Sequence, residues 1–282
     1  MSKVSSILFL KKILKLLKLL QYNYDKNTKK NTNLKSFFQK LGLNKIYKES
    51  SEYTSDQKDK RLSGNPYSPD LLDLYYLYEL IRLNKRITIL EYGCGWSTVM
   101  IYFAIKKMKS IMKGKSFPRN YNPYQLFSLD NDKKFISISK KRLNVFSKNA
   151  TEVKFFYSEV SMSTFNDRYC SKYNNHPLIN PDFIYVDGPD QFNIKGKINN
   201  FTINSKPMVP MISDILRYEH FLMPGTIILF DGRQSNVRFF KANFQRKWND
   251  FHINETGQHV FILNEKPLGK INKAQLDFYN RK

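Results

Sequence analysis

The stretch Ile87-Thr-Ile-Leu-Glu-Tyr-Gly-Cys-Gly-Trp-Ser-Thr98 constrains this chain more than any other. A β-branched, apolar run ends in an acid. Two glycines follow at two-residue spacing, and a helical pattern runs from Val99 to Met108. The pattern predicts a strand, a tight turn and a helix N-terminus. In an open α/β sheet such a junction sets backbone N–H groups against a nucleotide-like ligand.

Strands and helices alternate from there. Strands are expected at Ile87–Tyr92, Gln125–Asp130, Val153–Tyr157, Phe183–Asp187 and Thr226–Asp231, and a terminal pair at Asp250–Glu255 and Gln258–Leu263, joined by Thr256-Gly257. Helices are expected at Ser97–Lys109, Lys133–Ser147, Met208–Leu222 and Asn236–Trp248, and one before the first strand, with Ser68 as N-cap, Pro69 first and Asp70 in the first turn. Ser161–Asn180 and Gln191–Lys206 read as irregular loops. The alternation predicts a mostly parallel, doubly wound sheet with an antiparallel C-terminal hairpin.

The N-terminal part differs. Ile7–Leu20 reads ILFLKKILKLLKLL, too short and too charged for a span of about 20 apolar residues. Its lysines and leucines separate onto two helical faces. It would lie on an anionic membrane surface, dock on the protein's own core, or meet a second subunit. A lysine- and asparagine-rich linker follows, and Leu34–Leu41 forms a short helix ended by Gly42. Residues 1–64 are expected as a helical extension, 65–268 as the compact domain and 269–282 as a tail.

The chain carries a formal net charge of +23. An anionic partner or an AT-rich genome would each produce that bias. Residues 1–60 hold 14 Lys against five acids, and the remaining charge reads as diffuse. Two cysteines exclude a disulfide framework and a four-thiolate zinc site. A cytoplasmic setting is the simplest, with contact to the inner face of a membrane through residues 7–20 as a variant.

Acids stand at the ends of the five strands expected to run parallel: Glu91, Asp130, Glu159, Asp187 and Asp231. Ligands in open α/β sheets sit outside those ends. Glu91-Tyr-Gly-Cys-Gly95 resembles the first motif of the class I S-adenosylmethionine-dependent methyltransferases. Asp130, Glu159 and Asp187-Gly-Pro-Asp190 are similar to the acids that follow. The resemblance covers about Ser68 to Glu265. It implies a Rossmann-like seven-stranded sheet of order 3-2-1-4-5-7-6 and a methyl-donor site. That site would be built from Glu91, Gly93, Cys94, Gly95, Ser97, Asp130, Asn131 and Glu159, with Asp130 on the ribose and Glu159 near the adenine edge. The wording of the strand ends is most similar to small bacterial enzymes of surface-polysaccharide or secondary-metabolite pathways.

The chain departs from that pattern in places. Ser97-Thr98 stand where a third glycine is usual. Glu91 and Asp130 are 39 residues apart, against about 20 in a compact unit; an insertion at Ser110–Asn122 would explain the excess. A nicotinamide dinucleotide would want glycine at Thr98. The motif of amino-methylating nucleic-acid enzymes is absent.

Methyl transfer to a hydroxyl needs a proton acceptor or a metal. Asp187 is the first candidate base, then Asp190, with His176 on the acceptor side. Asp187 and Asp231 would share a divalent cation such as Mg2+. Arg233 would hold an acceptor carboxylate or phosphate, or pair with a neighbouring acid. The leading expectation is an O-methyltransferase for a small-molecule or glycan hydroxyl. The alternatives are an RNA methyltransferase and a non-catalytic or membrane-associated module on the same fold.

Overall fold

The computed structural model describes residues 32–50 and 66–280. The basic helix expected at 7–20 lies outside the described residues. Two short helices, α1 (Thr32–Lys40) and α2 (Asn44–Ser50), precede α3 (Leu71–Asn84). Asp70, not the expected Ser68, caps α3: its carboxylate accepts from the backbone N–H groups of Leu72 at 2.9 Å and Asp73 at 3.2 Å. Lys85 ends the helix in the left-handed region at φ 56, donating its N–H to the carbonyl of Arg82.

The chain continues through β1 (Thr88–Tyr92), α4 (Trp96–Ile111), β2 (Gln125–Asp130), α5 (Lys133–Phe146) and β3 (Val153–Tyr157). Next come β4 (Val160–Phe165), β5 (Arg168–Tyr173), β6 (Phe183–Val186), the two-residue β7 (Ile194–Lys195), α6 (Asp214–Tyr218), β8 (Ile227–Phe230), α7 (Gln234–Lys241), β9 (Trp248–Ile253), β10 (Gln258–Leu263) and α8 (Gly269–Asn280).

Seven strands form the main sheet in the order β3-β2-β1-β6-β8-β10-β9. Six strands share one direction, and β10 alone runs opposite to them. Counted within this sheet the order is 3-2-1-4-5-7-6, the class I methyltransferase arrangement expected above. β1, β6 and β8 are buried along their whole length, which is why they read as continuous apolar runs. One face, including Ile89, Tyr185 and Leu229, packs on α3, α4 and α5; the other, including Tyr92, Val186 and Phe230, packs on α6, α7 and a second sheet.

That second sheet, of order β5-β4-β7, replaces the irregular loop expected at Ser161–Asn180. Phe165 pairs with Arg168, leaving a two-residue turn. Asn166 and Asp167 both have positive φ, 48 and 58, as a primed hairpin turn requires.

The helix expected at Met208–Leu222 is reduced to α6 and a 3-10 turn, Glu219–Phe221. Pro210 cannot donate within a helix. Ser171 instead donates its N–H to the carbonyl of Met211, and Ser213 donates to Ser171, so this segment runs along β5. The helix expected at Asn236–Trp248 ends at Lys241. Trp248 instead begins β9, its indole donating to Glu219 Oε1 at 2.8 Å. Within the expected tail, α8 (Gly269–Asn280) sets Phe278 and Tyr279 into the core. Tyr279 donates to Asp182 Oδ2 at 3.1 Å, and the Arg86 guanidinium lies 3.6 Å from its ring centroid.

Candidate functional site

The strand order reverses between β1 and β6, and the turns leaving these two strands touch. Gly93 adopts φ +88, and a Cβ added there would lie 2.6 Å from Gly188 N. Only glycine permits both that conformation and that approach. Gly93 N–H donates to the Leu129 carbonyl at 2.8 Å, so the turn is fastened to β2 as well. Gly95 has open space beside it, with only Ser97 Oγ within 4 Å of an added Cβ, at 3.9 Å.

Glu91 is fully buried. Its carboxylate accepts hydrogen bonds from Ser97 Oγ (2.6 Å), Thr98 Oγ1 (2.7 Å) and Ser128 Oγ (2.6 Å). Burial raises its pKa to about 7 against the lowering effect of these donors. Ser97 and Thr98 thus both bind Glu91, and Thr98 Oγ1 also accepts from Gly95 N at 3.1 Å, capping the start of α4. Asp130 is 2% exposed. Its two oxygens accept from the N–H groups of Cys94 and Asp132, both at 2.8 Å. Burial pushes its carboxyl up to about 6 and pushes the Cys94 thiol up as well, which keeps that thiol a proton-bearing filler. Glu159 is exposed in the link from β3 to β4.

Asn131 and Asp190 are joined directly. Asp190 N–H donates to Asn131 Oδ1 at 2.8 Å, and Asn131 Nδ2 donates to the Asp190 carbonyl at 3.1 Å. The end of β2 is thereby clasped to the turn after β6. Burial also raises the Asp190 carboxyl.

Arg233 binds the same turn from the β8 side. Its guanidinium donates to the carbonyl of Asp187 and, at 3.4 Å, to that of Pro189. Its Nε stands 3.7 Å from Asp187 Oδ1. Of the two roles expected for Arg233, the structure forms the ion pair with a neighbouring acid. The Asp187 side chain is 48% open, at the mouth, whereas that of Arg233 is 16% open. Although Asp187 reaches solvent, the enclosing walls and the negative charge of Asp231 push its carboxyl up to about 8.

Asp231 accepts from Tyr185 Oη at 3.0 Å. Asp73, in the first turn of α3, stands against it, with one buried carboxylate oxygen that has no hydrogen-bond partner. Burial and the charges of Asp231, Asp70 and Asp187 push Asp73 well above the carboxylate range; burial raises Asp231 too. Sequence reasoning missed Asp73 because an acid in the first turn of a helix is explained by the helix dipole alone. Among the described residues no group of three or more His, Cys, Asp or Glu is placed to hold a metal ion.

His176 does not join this cluster. Its Nδ1 donates to the Pro177 carbonyl at 2.9 Å, so Nε2 is the acceptor for Tyr92 Oη at 2.6 Å. Tyr92 Oη also lies 3.0 Å from Tyr218 Oη. Both ring nitrogens are thus engaged beneath the β1 turn, and burial lowers the imidazole pKa. On the donor side, the Arg142 guanidinium covers the Trp96 ring at 4.3 Å.

No protein-family model matches the chain, and no curated protein matches it. Among solved structures it is similar to the O-methyltransferase TomG of Streptomyces achromogenes, crystallised with SAM. That match is 12% identical over 77% of this chain and 94% of the other, at a TM-score of 0.41. It is also similar to a putative caffeoyl-CoA O-methyltransferase of Staphylococcus aureus, with 15% identity, 77% and 96% coverage and a TM-score of 0.39. An O-methyltransferase of Bacillus cereus in complex with SAH aligns at 13% identity over 86% and 96%, with a TM-score of 0.38.

Proposed function

We propose that this chain is an S-adenosylmethionine-dependent methyltransferase acting on a hydroxyl of a small molecule or glycan. The observation that carries the reading is the crevice between β1 and β6 at the reversal of strand order. There a glycine turn fastened by Glu91 and Asp130 meets the Asp187-Gly188-Pro189-Asp190 turn. The donor lies against Gly93, Cys94 and Gly95, with the ribose toward Asp130 and Asn131 and the adenine toward Glu159. Glu91 and Ser97 act indirectly, by holding the turn.

When bound, the sulfonium supplies an activated methyl group, and the chain positions the acceptor in line with it. Such orientation can contribute about 7–11 kcal/mol. Asp187 takes the acceptor proton: it is the open carboxylate at the mouth, and its raised pKa makes it a stronger base than an ordinary carboxylate. Arg233 fixes the Asp187 turn, and Asp190 lines the same edge. A divalent cation would be held by Asp187 and Asp231. This oxygen-donor pair suits Mg2+, and its excess negative charge is what such an ion would balance.

A glycan or secondary-metabolite acceptor in a bacterial cytoplasm fits the polar loops around the mouth. Titration calorimetry with S-adenosylhomocysteine is the test. The wild type is expected to bind. Gly95→Trp fills the open space at the turn and should abolish binding without unfolding the protein. Absence of binding in the wild type, or binding unaltered in Gly95→Trp and Asp130→Ala, defeats the reading.

A further inference from the structure

The positive charge is not diffuse over the fold, contrary to the expectation from composition. Residues 155–265, which include every strand from β4 to β10 and the loops of the acceptor side, hold eleven basic and eleven acidic side chains. Residues 106–154 hold eleven Lys and two Arg against three acids, a net of +10. A compositional preference for lysine would load both segments alike, and it does not.

All eleven of those lysines are exposed. The three acids do little to offset them at the surface. Asp130 is buried, Asp132 caps α5, and Glu152 pairs with Lys109 at 3.2 Å. That ion pair ties the end of α4 to the residue before β3. Lys133 and Lys140 of α5 lie over the rings of Tyr157 (4.7 Å) and Phe155 (5.5 Å) of β3. The end of α4, the outer side of α5 and the β3 edge are therefore one basic surface. Apolar side chains project among the lysines: Ile111 is 49% exposed, Val145 56% and Tyr121 85%.

We propose that this face, formed by α4, α5 and the β3 edge, lies against an anionic lipid surface. Lysines attracted to anionic headgroups, with isolated apolar and tyrosine side chains at the boundary, are the composition of an interfacial face. The chain before α1 points the same way. Residues 1–31 carry eight Lys and one Asp. They lead into α1, whose Phe37 packs edge-on against Tyr75 and Tyr78 of α3, in the helical layer that also holds α4 and α5. A polymeric nucleic-acid acceptor would call for basic side chains around the acceptor side, where the net charge is zero, and does not explain Ile111 and Val145.

The test is co-sedimentation of the full-length chain with vesicles of phosphatidylcholine alone or with 30 mol% (about one lipid in three) phosphatidylglycerol. Binding is expected only to the anionic vesicles, falling as salt is raised. Lys107→Glu, Lys141→Glu and Lys148→Glu together should weaken it at least tenfold. The same charge change on the acceptor side, Lys195→Glu, Lys197→Glu and Lys206→Glu, should leave it within about twofold. Thermal unfolding of each variant checks the fold independently of any donor binding. Equal losses in both triple variants would mean that net charge alone acts, which overturns the proposal. So would loss of binding only in a full-length Lys12→Glu, Lys15→Glu, Lys18→Glu variant, or binding of single-stranded RNA in place of vesicles.

Discussion

Asn131 and Asp190 exchange two hydrogen bonds, at 2.8 and 3.1 Å, across the mouth of the β1–β6 crevice. One residue ends the donor wall and the other ends the turn that carries Asp187. Donor binding and acceptor positioning therefore share a joint. Asn131→Ala removes both bonds from a side chain that is 5% exposed. A stability loss of about 1–3 kcal/mol is expected by chemical denaturation. Affinity for S-adenosylhomocysteine should fall at the same time, by calorimetry, because the Asp190 turn is no longer fixed against the donor wall. A stability loss with affinity unchanged would show that the joint is structural only.

Glu91→Ala is expected to be far more damaging than its distance from solvent suggests. Three buried hydroxyls, those of Ser97, Thr98 and Ser128, lose their common acceptor. Breaking a buried network in this way typically removes about 3–5 kcal/mol. Urea unfolding of Glu91→Ala against Glu91→Gln separates loss of the acceptor from loss of charge, since the amide oxygen of glutamine still accepts.

The fold was largely legible because period and punctuation agree along β1, β2, β3, β6 and β10, and the strand-end acids marked the rim. What stayed hidden was tertiary. The β4–β5 hairpin has the alternation of a strand pair, but its polar outer face, with Ser161, Ser163 and Lys172, reads as loop. Helical spacing continues through Pro210, which breaks the backbone hydrogen-bonding that spacing implies. At the site, residue type and strand spacing put Asp130 and Asn131 at the end of β2, where both lie buried. Tertiary packing alone bonds Glu91 to Ser97, engages His176 with Tyr92, and brings Asp73 from a helix 158 positions before Asp231 in the chain.

The crowding of Asp73, Asp187 and Asp231 has a pH signature. Their folded-state pKa values lie above the ordinary carboxylate value, 3.8, with Asp187 at about 8. The folded protein therefore holds protons that the unfolded chain has released. This contribution to stability is fully present below about pH 4 and is lost as the pH rises through about 8. Asp73→Asn removes one of the repelling charges. Its melting temperature should exceed that of the wild type at pH 8 to 9, with the difference shrinking toward pH 5. A pH-independent difference would place the three carboxyls too far apart to interact.

Assignment of the base rests on comparing Asp187→Asn with His176→Phe. Asp187→Asn leaves the crevice and the Arg233 contacts to the backbone in place, so S-adenosylhomocysteine should still bind. Transfer of a labelled methyl group to a hydroxyl acceptor should drop by about 100-fold or more, the usual scale for a positioned proton acceptor. His176→Phe should act through structure, because the Tyr92 hydroxyl loses its 2.6 Å partner, lowering the melting temperature. The wild-type rate should rise with pH as Asp187 ionises. Asp231→Asn should move that rise to lower pH, since after burial the charge of Asp231 is the largest cause raising the Asp187 carboxyl. His176→Phe should leave the profile where it is. A profile that vanishes in His176→Phe and persists in Asp187→Asn would transfer the role to the histidine.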